Sequence, residues 1–182
     1  MKLRLPSVRT SLDIASWLLI RGRSAGKEIN HKKLQYLIYL AYGNYFNEKF
    51  DSKLIPATFI LSKIGPIEPN IYQLFKKVNL AALGNDIPEN IEKYLLNIWK
   101  KYDKFEDDEL EIIILKNKVW EQISLQPIGS EISDDLIIKS FVDEGQIKKN
   151  LYNNVVDDGK EYWTLSGKKA ERWIPGLSKK NK

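Results

Sequence analysis

His31 is the single histidine of this 182-residue chain, and there is no cysteine. Disulfides, thiolate nucleophiles and thiolate metal sites are therefore excluded, and HExxH or His-rich metal sites cannot be assembled from this chain alone. We read no Ser-His-Asp relay in it. Asp107, Asp108, Glu109 and Glu111 have the hard oxygen donors that suit Mg2+ or Ca2+. No DxDxDG spacing organises them, and acids at the start of a helix have a sufficient electrostatic reason to be there. Gly22, Gly26 and Lys27 in RGRSAGKE hint at a phosphate loop, yet Glu28 stands where GxxxxGK[ST] needs a hydroxyl. The expectation is a protein without a catalytic site, metal or cofactor.

What remains is chemistry of recognition. Residues 62–75 read SKIGPIEPNIYQLF. Proline fixes its own φ and turns its predecessor away from the helical region, so Ile64–Glu68 is expected to be extended or turned. Pro69 suits the first turn of a helix, predicted to run to about Lys77 with Ile71, Tyr72, Phe75 and Val78 on one face. Gly65 permits an unusual φ or a close backbone approach, and Tyr72 is the kind of aromatic that anchors interfaces. Two readings of this stretch stand: a rigid corner that presents a binding surface, or a tight connection with Tyr72 in the core.

The elements that must position these residues follow from periodicity. SLDIASWLLIRG reads as a helix capped by Thr10 or Ser11, stopped at Gly22, with Ile14, Ala15, Leu18 and Leu19 apolar. Asn30 caps HKKLQYLIYLAYGNYFNEKF, where Leu34, Leu37, Ile38, Ala41, Tyr42 and Tyr45 recur at helical spacing. Lys33 and Gln35 flank Leu34, and either form a solvated face, meet a partner, or lie against the Gly-Pro corner. Residues 57–64 read as a strand. ENIEKYLLNIWKKYDKF is amphipathic through Ile91, Leu95, Ile98, Trp99 and Tyr102. EDDELEIIILKNKVW is helical by pattern and ends on Trp120, a core plug or an interface anchor. ISDDLIIKSFVDEG starts at Ser133 and closes at Gly145. The composition, 43% hydrophobic and 29% charged, is that of a globular protein able to bury a core. Apolar runs are far short of a membrane span, and the N-terminus lacks the apolar centre of a signal peptide, so a cytoplasmic location is expected.

Charge is distributed unevenly: residues 103–144 carry four Lys/Arg against twelve acids, and 145–182 carry nine against four. That pattern suits either a polyanion-binding end or charges that offset one another in the fold. After Gly145 the chain alternates apolar and polar residues around Asp158-Gly159, a hairpin signal. This segment resembles the end of a winged helix, with Lys148, Lys149, Lys160 and Lys168 as candidate phosphate contacts. The preceding acidic stretch, with Asp134, Asp135, Asp143 and Glu144, argues against a recognition helix on DNA.

Three pieces in order resemble one family. HKKLQYLIYLAYGNYF, with Lys33-Leu34-Gln35, Tyr39 and Gly43, is similar to its KLQKLLYYAQG-type helix. SKIGPIEPNIYQLFKK resembles its Gly-Pro, Pro, hydrophobic-Tyr, Phe-Lys signature. NIWKKYDKFEDDELEIIILKNKVW resembles its segment ending in tryptophan. The family is the Panacea domain, or SocA-like antitoxins, associated with phage, and the similarity covers roughly residues 10–143. It implies a noncatalytic, mostly helical antitoxin that binds and neutralises a protein toxin encoded nearby, by occlusion or by delivery to a protease. Lys33, Gln35, Tyr39, Gly65, Pro66, Tyr72 and Lys76 would then be the partner-binding residues. The alternatives are a winged-helix-like DNA-binding regulator, its own operator among the candidate sites, and a phage-borne regulator of a host protein.

The expected fold is mainly α, in the α+β class. A compact helical domain over residues 10–145 would carry small β-hairpins. Residues 146–182 would add a wing-like hairpin, a short helix and a basic tail.

Overall fold

The computed structural model describes residues 4–143 and 145–147. The expected wing-like hairpin, with Lys148, Lys149, Lys160 and Lys168, lies outside the described residues, as does all but the first two positions of the 146–182 extension.

The chain begins with β1 (Leu5–Pro6), α1 (Ser11–Ser24), α2 (His31–Glu48) and β2 (Ser52–Lys53). A hairpin of β3 (Phe59–Ser62) and β4 (Gly65–Ile67) leads into α3 (Pro69–Leu74) and a 3-10 turn, Leu80–Leu83. Then come α4 (Glu89–Tyr102), α5 (Asp107–Leu115), α6 (Lys118–Ser124), β5 (Glu131–Ile132) and α7 (Asp134–Phe141). The architecture is mainly helical with two small sheets, as the periodicity predicts. One sheet pairs β1 with β2 in parallel; the other is antiparallel in the order β4-β3-β5.

The core is built around α2. Every residue from Lys33 to Gly43 is buried, as are Tyr45 and Phe46. A helix buried on all sides is a core element, and the other elements wrap it: α1, α3, α4, α5, α7, β2 and β4 all contact it. The predicted stripe is inside, joined by polar neighbours that an amphipathic reading leaves in water. Tyr39 meets Phe59, Trp120 and Phe141 at ring distances of 5.2, 6.1 and 5.5 Å, in the edge-on geometry aromatics favour. Trp120 is thus the core plug of its two readings. Gly43 lets α7 approach: a Cβ there would lie 2.3 Å from the Phe141 ring.

Caps explain most boundaries. Thr10 accepts from the Leu12 amide at 3.2 Å, and Asn30 from the Lys33 amide at 2.9 Å. Glu106 and Glu109 form a reciprocal capping box on α5. The differences have local causes. α1 continues past Gly22 to Ser24 and is closed by Gly26 at φ +67°, after which the Lys27 amide donates back to the Gly22 carbonyl at 2.9 Å. The predicted EDDELEIIILKNKVW helix is two helices, since the Asn117 side chain accepts from the Val119 amide and restarts the chain as α6. α7 stops at Phe141, well before Gly145, where Val142 turns extended.

The Gly-Pro corner is itself a strand. Ser62 pairs with Gly65 and Leu61 with Pro66, so the chain reverses over Lys63-Ile64. Pro66 lies on the edge strand of its sheet, where a missing N–H costs no ladder bond. The helix after it ends at Leu74, short of the predicted Lys77, and only Ile71 of the predicted stripe is buried.

Candidate partner-binding surface

The surface begins with two buried anchors. Gln35, fully buried, accepts at Oε1 from the Glu68 amide at 2.7 Å. Glu68 is 1% exposed and caps α3: its carboxylate accepts from the Ile71 amide at 2.7 Å and from Asn70 Nδ2 at 3.0 Å. These bonds fix the start of α3 to α2.

A second set of bonds holds the hairpin tip. The Tyr36 hydroxyl donates to the Ile64 carbonyl. Ser62 Oγ donates to the Gly65 carbonyl at 2.8 Å and accepts from the Ile64 amide at 3.2 Å. Burial first, and the Glu111 carboxylate second, hold the Tyr36 phenol above its ordinary value, so it stays a donor. Glu111 in turn pairs with Lys32 at 2.6 Å, and Lys32 also reaches Asp108 at 3.2 Å. Asp107 accepts from Asn30 at 2.6 Å. The four acids of α5 are thus used in capping and in joining α5 to the start of α2.

Gly65 has φ +95°, and a Cβ there would lie 3.3 Å from the Tyr36 ring. Gly65→Ala is expected to cost about 1–3 kcal/mol, from backbone strain. A urea melt checks this; an unchanged midpoint would show that the tip relaxes freely.

On this scaffold three rings stand together at the surface. His31 lies 4.4 Å from Tyr72 and stacks on Phe75 at 4.9 Å. Tyr72 is 43% exposed, which removes its reading as a core residue. Lys76 is exposed and close enough to act on His31; Lys63 and Lys77 are exposed as well, and none of the three forms an ion pair among the described residues.

Among the described residues, His31 Nε2 is enclosed without a hydrogen-bond partner. Burial, then the Lys76 ammonium, hold its imidazole below the ordinary value of 6.5. Such a base takes up its proton more readily in the unfolded chain, so stability is full above pH ~6.5 and falls as pH drops from there to the folded-state value. Denaturation midpoints at about pH 7.5 and about pH 5.5 should therefore differ more in the wild type than in His31→Gln. Equal slopes in the two chains would remove His31 as the source.

Of the seven sequence-predicted contact residues, Tyr72 and Lys76 are exposed and Gly65 is half-buried at the tip. The others require correction. Lys33, Gln35, Tyr39 and Pro66 are buried and cannot touch a partner directly. Lys33 runs under the surface to within 3.8 Å of Glu106, Gln35 supports the corner from behind, and Tyr39 is in the aromatic core. The solvated-face reading of Lys33 and Gln35 fails on the same burial. Sequence reasoning set Phe75 on the Tyr72 face and singled out His31 without bringing the two together, and it missed Tyr36 and Glu68; their partners are mostly far along the chain, and only the acid before Pro69 had a local signal, as an N-cap.

Comparison of the chain with known protein families, with characterised proteins and with solved structures gave no match. Among the described residues no helix is long and apolar enough to cross a membrane.

Proposed function

We propose that this protein is an antitoxin that neutralises a protein toxin encoded nearby by direct binding, and that the face formed by Tyr72, His31, Phe75, Lys76 and the Lys63-Ile64 tip is its contact surface. The observation that carries this reading is an exposed aromatic cluster mounted on buried hydrogen bonds. Rigid presentation limits the entropy lost on association, and an exposed tyrosine with a basic fringe has the composition of an interface anchor. The resemblance of residues 10–143 to Panacea-type antitoxins supports the same reading and supplies the kind of partner. The unpaired lysines favour an acidic surface on the toxin, with association that weakens as salt rises.

The test is co-expression with the product of each flanking gene, followed by purification through a tag on this chain. Retention of one neighbour through size-exclusion chromatography is the expected result. Retention of none, with duplex DNA bound at low salt instead, would replace the antitoxin by the DNA-binding regulator.

A further inference from the structure

A cleft of about 500 Å3 lies between the C-terminal turn of α1, the loop after it and the stretch from Phe75 to Ala81. Its floor is apolar, made by Leu19, Ile29, Phe75 and Leu80. Ile29 and Leu80 are buried, and Ile29 is seated so closely on Gly22 that a Cβ there would lie 2.6 Å from its Cδ1. The cleft is thus preformed, and its size falls within the range of small-molecule sites.

The rim decides the class of ligand. Lys27 commits its Nζ to Asp103, at 2.8 Å from the carboxylate and 3.1 Å from the carbonyl. The lysine that gave RGRSAGKE its likeness to a phosphate loop is therefore occupied. Arg23, also on the rim, forms no ion pair among the described residues, and a guanidinium is shaped to grip a carboxylate by two parallel bonds. Glu28 shares the rim and opposes a doubly charged ligand. We propose that the cleft is a binding site for a small amphipathic monoanion, a flat apolar body resting on Phe75 and Leu80 with one carboxylate at Arg23. The cleft shares Phe75 with the proposed partner face, but its assignment does not rest on the antitoxin reading.

Two dyes test it on the full chain: anilinonaphthalene sulfonate, standing in for the carboxylate, and phenyl-naphthylamine, the same body without the charge. The sulfonate should bind saturably at one site, about tenfold tighter than the neutral dye, and naphthylacetate should displace it. Arg23→Glu should erase the tenfold preference. Ala81→Trp, which fills the cleft, should abolish binding of both dyes. Should Ala81→Trp lower the melting temperature, Val78→Glu on the exposed wall serves instead and should repel the sulfonate alone. Equal affinity for both dyes would overturn the carboxylate assignment. Undiminished binding by the filled variant would overturn the site.

Discussion

Tyr72→Ala should weaken binding of the neighbour-encoded partner about 30-fold, a loss of about 2 kcal/mol, while the melting temperature stays within about 3 °C of the wild type. Both halves follow from where the ring sits. It is 43% exposed and meets the His31 ring at the surface, so folding loses little when it is removed. On association it would be the largest apolar group to leave water at the centre of the basic fringe. Leu125→Ala, at a position 86% exposed elsewhere on the molecule, should change neither quantity. Titration calorimetry with the purified partner separates the cases. A Tyr72→Ala chain that binds as tightly as wild type would place the contact on another face.

Tyr39→Ala should do the opposite, destabilising the fold by about 3–5 kcal/mol, roughly 10 °C in melting temperature. Tyr39 is fully buried at the meeting point of Phe59, Trp120 and Phe141, so truncation leaves a cavity that three other rings cannot close. The Trp120 indole lies near the Tyr39 hydroxyl, and among the described residues that oxygen has no hydrogen-bond partner of normal geometry. Tyr39→Phe should therefore stay within about 1 kcal/mol of wild type. Denaturant titration of both variants checks the pair. If Tyr39→Ala folds normally and loses only partner binding, α2 is part of the surface after all.

The helices around the partner face were largely legible because their signals are local. Thr10, Asn30 and Ser133 cap the helices they were expected to cap, and the apolar stripe of α4 is buried as its spacing predicts, with Tyr94 in addition. Burial was less legible. Lys33 and Gln35 look like surface residues by type, but α2 has elements packed on every side, and a stripe cannot report a neighbour contributed from elsewhere in the chain. The same limit hides the reverse case: Ile112 and Leu115 are apolar by type and yet 63% and 41% exposed, since nothing among the described residues covers that face of α5. The β5 strand was invisible because its two residues acquire their pairing only from Phe59 and Ile60, some seventy positions earlier. At the site, Gly65 and Pro66 were flagged for a corner, and the chain does reverse there in a hairpin. The bonds that tie it to α2, from Gln35 and Tyr36, span about thirty residues and leave no trace in local sequence.

As the proposed antitoxin, this chain would protect a cell from a neighbouring gene's product through the Tyr72 face. The most direct measurement is growth during induction of each flanking gene, alone, with this chain, and with its Tyr72→Ala, Lys76→Glu double variant. One neighbour should arrest growth alone, the wild-type chain should restore it, and the folded double variant should not. Rescue by the variant equal to that of the wild type, or no neighbour that arrests growth, would contradict it.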